Sequence, residues 1–484
     1  MGGSSPIPET PEVLDLDQVR IDPELARRVP ESLATRRGVL LFGRQGEDLV
    51  AACLDPEDDA ALEAVERAAG ARVIPVRADP ASLERALARV FARRPSADGD
   101  EAVQLVDELM HDAVLEQASD IHVEPDRDTV RIRFRVDGEL ETRRQLPPSA
   151  ASALINRIKV LSGLDIAEKR APQDGRFTWD VTGDGTRAVD VRVGVLPTKE
   201  GERATLRLLA LKTESLTLER IGMDPKTLGA FRAELARPHG MILLTGPTGS
   251  GKSTTLYAAL REIDVDAKNV LTIEDPVEYS VPGVSQTEIE STDRVTFHKA
   301  LRSMLRHDPD VLMIGEIRDQ ETADVAVKAS LTGHLVFSTL HTNSAVSAVT
   351  RLLDMGTPAY LAAATLRLVV AQRLVRRLCV RCRVERLATP AERDALGLAD
   401  DAPAFDPGGC MACRGSGFSG RVGLFETFRP DRDLQGMIAR GCAEGELLSA
   451  ARERGLSTLR EDAAIKVVDG VTPPDEALRA VEVH

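Results

Sequence analysis

The chain has 484 residues, which is enough for about three domains of ordinary size. Its net charge of −15 and its aromatic content of 3% exclude a protein that binds nucleic acid or anionic lipid over a broad basic surface. The hydrophobic content of 43% is sufficient for several aliphatic cores. We therefore expect a globular, multidomain protein with no nucleic-acid partner.

Targeting and membrane-spanning segments are not predicted. The amino-terminal residues MGGSSPIPETPEV contain no apolar core of the kind found in secretory signals. One of the longest apolar stretches, residues 361–375, carries Arg367, Gln372 and Arg373 and is predicted to be a helix of a soluble domain. We therefore expect a cytoplasmic protein without direct membrane insertion, which reaches a membrane only through a partner.

The first predicted domain is a small α/β unit over residues 1–93. Residues 38–42 and 48–54 have the pattern of strands on either side of a turn, and a helix is expected between Asp55 and Gly70. A further strand, RVIPVRA, and an amphipathic helix, PASLERALARVFARR, complete the domain.

The second predicted domain is an α+β unit over residues 102–222. Residues 94–101, which are small, charged or helix-breaking, are predicted to be the linker that precedes it. A long helix begins the domain, and alternating runs such as TVRIRFRV and AVDVRVGV then predict strands. Asp137 and Gly138 separate two such runs and predict a tight hairpin.

The third predicted domain, residues 223–484, alternates between short apolar strands and helical segments. The strands MILLTG, NVLTIED, VLMIGE and HLVFSTLH are apolar throughout, so both of their faces are expected to be covered by helices. This pattern predicts an α/β domain with a parallel sheet.

A complete phosphate-loop motif, G-x-x-x-x-G-K-[ST], lies between the first of these strands and a predicted helix. Its glycines allow backbone N–H groups to face phosphate oxygens at the helix amino terminus. We expect Lys252 to reach the β- and γ-phosphates of ATP and Ser253 to bind Mg²⁺. The predicted nucleotide-binding residues are Gly246, Pro247, Thr248, Gly249, Ser250, Gly251, Lys252, Ser253 and Thr254.

Polar residues end the other strands at the edge where ligands bind in open α/β sheets. Glu316 is placed where a carboxylate polarises the attacking water, and Glu274 ends the preceding strand. Because Gly315 stands where a nucleotide-site strand usually ends in an Mg²⁺-binding Asp, we expect Ser253 and water to hold the ion, with Glu274 or Glu316 further out. His341 ends its strand on the same side and is a candidate sensor of the γ-phosphate.

Two C-x-x-C pairs in the last domain predict a structural metal site. Four thiolates in two closely spaced pairs suit tetrahedral Zn²⁺, and the long interval between the pairs requires the intervening residues to fold back as a lobe. The predicted ligands, within the module 379–413, are Cys379, Cys382, Cys410 and Cys413.

The segments GPTGSGKST, TIEDPVEY, LRHDPDVLMIGEIRD, TGHLVFSTLHTN and QRLVRRLC resemble, in the same order, the type II secretion and type IV pilus assembly ATPases. The resemblance implies an α/β, multidomain protein: a RecA-like ATPase core with a zinc-binding insertion, preceded by a PAS-like α+β domain and a small α/β domain. It also implies that Glu316 and Glu274 are catalytic and that His334 and His341 form a histidine box. The arginines that it places around the phosphates are Arg192, Arg207, Arg302, Arg306, Arg318 and Arg421.

The same resemblance implies a homo-hexamer whose first domain docks on the cytoplasmic domain of an inner-membrane secretion-system protein. An inner-membrane platform protein is the further partner. Within the family, the short region before residue 93 and the stretch GVSQTEIES favour type II secretion over pilus extension.

Three alternatives stay open. The first is a type IV pilus extension ATPase. The second is a zinc-containing nucleic-acid remodelling protein, which the net charge of −15 opposes. The third is a nucleotide-binding scaffold that does not hydrolyse ATP, which the presence of Lys252, Ser253 and Glu316 opposes.

Overall fold

A computed structural model of the protein describes residues 13–19, 21–45, 48–91, 98–181, 188–209, 217–289, 296–410, 413 and 415–481. The chain divides into two compact units, residues 1–211 and 212–484. The first unit contains two separate hydrophobic cores, one for each predicted amino-terminal domain. The second unit contains the phosphate loop and begins before the predicted boundary at residue 223.

The amino-terminal core is built on a mixed three-stranded sheet, in which β1 is antiparallel to β2 and β2 is parallel to β3. The predicted strands and helices are confirmed, and one helix is capped by Asp58 at its start and by left-handed Gly70 at its end. After a short 3-10 turn at Leu16–Gln18, the elements are α1 Pro23–Ala26, α2 Glu31–Arg37, β1 Val39–Gln45, β2 Asp48–Cys53, α3 Asp59–Ala69, β3 Val73–Arg77 and α4 Pro80–Phe91.

The predicted linker over residues 94–101 is wrong at its carboxyl end. Helix α5 spans Asp98–Leu115 and therefore begins inside it, while residues 92–97 lie outside the described part of the chain. A polar composition does not by itself distinguish a linker from the start of a solvent-exposed helix.

The second core lies under a six-stranded antiparallel sheet in the order β6-β5-β4-β9-β8-β7. One face of the sheet is apolar and packs on two helices, whereas the other face carries polar side chains. The predicted hairpin at Asp137 and Gly138 is confirmed, and both residues have positive φ as a primed turn requires. The elements are β4 Asp120–Pro125, β5 Val130–Val136, β6 Glu139–Leu146, α6 Ala150–Leu161, β7 Gln173–Asp180, β8 Ala188–Thr198 and β9 Gly201–Leu208.

The second unit is organised by a seven-stranded sheet in the order β12-β11-β13-β14-β10-β15-β18, which is parallel except for β18. Successive residues of its strands enter different cores: Met241 and Leu243 pack on one side, Ile242 and Leu244 on the other. The predicted parallel, doubly covered sheet is thus confirmed. Its strands are β10 Gly240–Thr245, β11 Val270–Glu274, β12 Ser285–Glu288, β13 Val311–Ile314, β14 Leu335–Leu340, β15 Leu366–Leu378 and β18 Phe418–Phe428.

Helices cover both faces of this sheet, and a small lobe interrupts the chain between β15 and β18. The lobe contains β16 Val384–Leu387, α13 Pro390–Leu396 and β17 Pro403–Asp406, with β16 antiparallel to β17. None of the helices within the described ranges is long and apolar enough to cross a membrane. The covering helices are α7 Pro225–Leu235, α8 Lys252–Arg261, α9 Phe297–Met304, α10 Gln320–Leu331, α11 Ser347–Asp354, α12 Ala359–Thr365, α14 Arg432–Ala439, α15 Glu444–Glu453, α16 Leu459–Val468 and α17 Pro474–Val481.

The helix predicted over residues 361–375 is wrong from residue 366 onwards. Helix α12 ends at Thr365, and the next thirteen residues form β15 between β10 and β18. A continuous apolar run does not distinguish a buried helix from a buried strand by its periodicity. Hydrogen bonding on both edges, to parallel β10 and antiparallel β18, favours the strand here.

Candidate active site

The phosphate loop joins the end of β10 to the start of α8, as predicted. Gly246 has φ +145°, and a Cβ on it would lie 2.4 Å from the carbonyl oxygen of Gln372. Gly251 has φ +87° and is the residue that precedes the first turn of α8. These positions accept only glycine because both the backbone conformation and the space exclude a side chain. These two glycines therefore fix the conformation of the loop ahead of the first turn of α8.

The side chain of Lys252 lies against the phosphate loop. Its Nζ donates to the carbonyl oxygens of Gly246 at 2.7 Å and Pro247 at 3.0 Å. Burial lowers the pKa of Lys252 to about 8, with the Arg373 charge adding to this effect and the Glu316 carboxylate opposing it. The buried hydroxyl of Ser250 accepts or donates no hydrogen bond within the described residues. A cation, an unused hydroxyl and a helix amino terminus together fit the phosphates of a nucleotide.

Glu316 lies at the carboxyl edge of the sheet, just after β13, and its carboxylate is held from two sides. His341 Nε2, at the end of β14, lies 3.0 Å from Glu316 Oε2, and the Arg318 guanidinium contacts Oε1. Burial raises the pKa of Glu316, but the hydrogen bonds from Arg318 and His341 outweigh burial and bring it below its usual value. The structure thus brings together Glu316, Arg318 and His341, which we call the Glu316 cluster.

Glu274 lies on the strand next to Glu316 but faces a different set of groups. It is buried, and its oxygens accept hydrogen bonds from Thr272 Oγ1 at 2.6 Å, from Gln286 Nε2 at 3.1 Å and from the Tyr257 hydroxyl. These donors occupy the carboxylate, so in this conformation Glu274 braces the end of β11 against the phosphate-loop helix. A catalytic role for Glu274 stays a prediction.

The predicted arginines in the second unit lie at different distances from the strand ends. Arg302 and Arg306 are exposed on and just after α9, in the segment that leads into the amino end of β13. Arg421 is exposed on β18, beside Arg376 on the part of β15 that extends beyond the carboxyl end of β10. Of these four arginines, Arg318 is the one that contacts Glu316 in the described part of the chain.

His334 lies at the opposite edge of the sheet from Glu316, and Arg192 and Arg207 belong to the first unit. His334 precedes β14 at the amino edge of the sheet, where its carbonyl accepts from Gly240 N and its Nδ1 lies 2.8 Å from Ala329 O. Arg192 and Arg207 are neighbours on β8 and β9, and Arg207 Nε donates to Asp120 Oδ1 at 3.0 Å. Contact between these residues and a nucleotide stays a prediction.

Sequence reasoning missed two side chains that pack directly against the phosphate loop. Gln372 Oε1 accepts from Thr255 Oγ1 at 2.8 Å, and Arg373 Nη2 donates to Asn343 O at 3.1 Å. Both residues belong to the QRLVRRLC segment, so a signal was present in the motif. The incorrect helix over residues 361–375 hid the fact that they lie on β15, the strand that runs beside the loop.

The four predicted cysteine ligands come together at the base of the lobe. The Sγ atoms of Cys379 and Cys410 are 3.8 Å apart, those of Cys382 and Cys413 are 3.7 Å apart, and all four lie within 4.8 Å of one another. A tetrahedron with metal–sulfur bonds of about 2.3 Å has sulfur–sulfur separations of about 3.8 Å. Disulfide bonds would require about 2.0 Å. The cluster therefore has the dimensions of a four-thiolate metal site.

The parallel sheet, the phosphate loop and the Glu316 cluster at the strand ends define a RecA-like P-loop ATPase. The solved structure of the Legionella pneumophila ATPase DotB has the same fold, with a TM-score of 0.59, 23% identity and coverage of 78% of this chain and 96% of that one. The chain belongs to the Type II/IV secretion system protein family, which matches residues 96–479, and residues 9–97 match the MshEN domain.

Two relatives show where the chain lies within this family. It is 41% identical over 502 residues to a type II secretion system protein E of Dickeya dadantii, which covers 96% of this chain and 99% of that protein. It is 39% identical over 492 residues to the type IV pilus assembly ATPase PilB of Thermus thermophilus, covering 95% of this chain but 55% of that protein. The identity of 41% to protein E over almost the whole of this chain supports its place among the type II secretion ATPases.

Proposed function

We propose that the protein is a motor that hydrolyses ATP within a homo-hexamer and powers assembly of the type II secretion pseudopilus, and with it protein export across the outer membrane. The observation that carries the proposal is the position of the phosphate loop and the Glu316 cluster at one edge of one sheet. This arrangement places a phosphate-binding loop and a water-orienting carboxylate on the same side of the strands.

Hydrolysis is assigned to this chain's own groups as follows. Lys252 exchanges its two loop carbonyls for phosphate oxygens, and the loop N–H groups bind the remaining oxygens. Ser253, exposed in the first turn of α8, is the Mg²⁺ ligand, and the ion neutralises charge on the phosphates when bound. Glu316 orients the attacking water rather than acting as a strong base, because its pKa lies below the usual value.

Arginine contacts from other subunits would complete the site. Three of the predicted arginines are exposed: Arg302, Arg306 and Arg421. In a hexamer, each could contact the nucleotide of a neighbouring subunit. Arg192 and Arg207 belong to the second domain and would contact the triphosphate when that domain closes on an ATPase core. An arginine that arrives across a subunit border makes hydrolysis depend on assembly.

Zinc is the metal proposed for the cysteine cluster. The four sulfur atoms suit its tetrahedral geometry, and backbone N–H groups of Cys410 and Gly417 lie 3.1 and 3.2 Å from Cys413 Sγ, as in thiolate sites. A closed four-thiolate site has no position for substrate, so its role is structural. It would join the base of the lobe to the end of β15.

The family supports the partners and the localisation that we propose. Residues 1–93 are assigned to docking on the cytoplasmic domain of an inner-membrane secretion-system protein, and residues 102–222 to transmitting movement towards the platform protein. The protein would thus be cytoplasmic and peripherally attached to the inner membrane. A type IV pilus extension ATPase is the alternative, which the match to PilB supports over 55% of that protein's length.

The test is Mg²⁺-dependent ATP hydrolysis measured across a range of protein concentrations for the wild type and Glu316→Gln. We expect specific activity that rises with concentration in the wild type and is lost in the variant. Lys252→Ala is expected to lose nucleotide binding as well as turnover. Wild-type turnover by either variant would overturn the proposed site, and concentration-independent activity would overturn the requirement for a ring.

A further inference from the structure

Arg373 is a buried cation beside the phosphate loop. It is 5% exposed, and its guanidinium donates to neutral oxygens: Nη1 to Gln372 O at 3.1 Å, and Nη2 to Asn343 O at 3.1 Å and Asn343 Oδ1 at 3.3 Å. No carboxylate lies within ion-pair distance of it in the described residues. A buried charge without an ionised partner is unfavourable, because the desolvation of the ion is not compensated.

Glu426 is the acid whose charge acts on Arg373, but no ion pair joins the two side chains among the described residues. Glu426 lies on β18 opposite Ala371, two residues along β15 from Arg373, and its carboxylate accepts the backbone N–H of Ala345 at 2.7 Å. Burial raises the pKa of Glu426. Burial lowers the pKa of Arg373, which Glu426 only partly opposes.

Arg373 lies between the phosphate loop and the segment that follows β14. Its Nη1 lies 3.1 Å from the point where a Cβ on Gly246 would be, so it lies against the first residue of the loop. Its Nη2 binds Asn343, two residues beyond His341 in the segment that follows β14. The same side chain therefore touches the start of the loop and the segment that leads to the Glu316 cluster.

We propose that Arg373 is a positioning residue of the ATP site, and that the phosphates of the bound nucleotide are the counter-charge of its buried guanidinium. The inference rests on the proposed function of the loop. Lys252 and Arg373 then form a pair of partly buried cations whose mutual repulsion is relieved when the nucleotide binds. Through Asn343, Arg373 also sets the distance between the loop and the His341 segment.

A purely structural role for Arg373 and a role as a partner of the nucleotide predict different melting temperatures when the arginine is removed. An arginine retained only for folding lowers the melting temperature of nucleotide-free protein when it is removed. An arginine whose counter-charge is the nucleotide leaves that temperature unchanged or raises it, because an uncompensated buried charge is lost. The stabilisation by ligand, which follows RT ln(1 + [L]/Kd), should instead decrease.

The experiment measures melting temperatures of the full chain with and without Mg²⁺-ATP, and the Kd of a fluorescent ATP analogue, for the wild type, Arg373→Gln and Arg373→Lys. The matched control is Arg386→Gln, because Arg386 binds Glu392 and Asp406, each at 2.7 Å, in the cysteine lobe. For Arg373→Gln we expect an unchanged or higher melting temperature without nucleotide and a Kd raised about tenfold or more. Arg373→Lys should recover part of the affinity, and KM should change more than kcat in both variants.

Arg386→Gln should lower the melting temperature of the nucleotide-free protein and keep the wild-type Kd. The inference is overturned if Arg373→Gln behaves in that same way. If Arg373→Gln both melts earlier and binds more weakly, the lysine variant decides: recovered affinity supports the charge, and no recovery contradicts it. A wild-type protein that shows no ATP-dependent stabilisation would instead contradict the proposed function itself.

Discussion

His341 Nε2 lies 3.0 Å from Glu316 Oε2, and this contact joins the ends of two neighbouring strands of the parallel sheet. Glu316 follows β13 and His341 follows β14, so the separation of the two groups is set by the strand spacing. Arg318 holds the other carboxylate oxygen. The carboxylate that we propose orients the attacking water is thus held in place by its neighbours, as electrostatic preorganisation requires.

The first prediction concerns the pH dependence of hydrolysis. His341→Ala removes one hydrogen bond that lowers the pKa of Glu316, so this pKa should rise. Activity is lost as the pH falls through the pKa of Glu316, and therefore the acid limb of kcat/KM should move to higher pH. Arg318→Gln should move it further, because its hydrogen bond lowers the pKa more. His239→Ala, an exposed residue before β10, is the control, and an acid limb that coincides in all four proteins would contradict the assignment.

The second prediction concerns the buried network around Glu274. Tyr257→Phe removes the hydroxyl that donates to Glu274 and accepts from Glu278 N at 3.2 Å. A buried carboxylate with a missing donor costs about 1–3 kcal/mol, so unfolding of the second unit should begin at lower temperature. Tyr360→Phe, at a residue that is 64% exposed, should leave the unfolding temperature unchanged. Equal unfolding curves for the two variants would show that the network contributes nothing.

The third prediction compares alanine substitutions at two glycines, one of which should abolish ATP binding and the other increase stability. Gly246→Ala places a Cβ 2.4 Å from Gln372 O at φ +145°, so it should distort the phosphate loop and abolish ATP binding. Gly229→Ala, within α7, meets no atom within 4 Å and should stabilise the protein by roughly 0.5–1 kcal/mol, because alanine favours helix. Titration with a fluorescent ATP analogue and chemical denaturation measure the two effects. Retained binding by Gly246→Ala would contradict the loop geometry.

The fourth prediction concerns the cysteine cluster. Elemental analysis of the purified wild type should find one zinc ion per chain, and Cys379→Ser should lose it. Loss of the ion should expose the lobe to proteolysis, because a lobe with so small a core would depend on a bound metal for its stability. Cys442→Ser, at a cysteine outside the cluster, should keep both zinc and protease resistance. A metal-free wild type, prepared without chelator, would contradict the zinc assignment.

The sequence by itself determined the features whose physical cause is local. The strands around the phosphate loop, the Asp137–Gly138 hairpin and the helix ending at Gly70 follow from residue periodicity and from backbone conformations that few residue types adopt. The residues of the loop and the four cysteines were identified by spacing alone, because the chemistry of phosphate and metal binding requires those spacings.

Only the tertiary structure decided the features that depend on which strands become neighbours. Residues 366–378 are apolar in a way that suits a buried helix or a buried strand, and pairing with β10 and β18 selected the strand. That pairing placed Arg373 beside the phosphate loop, where a helix would not have placed it. The order of strands likewise brought His341 to Glu316 and left His334 at the opposite edge, since a side chain's position along a parallel strand selects the edge that it reaches.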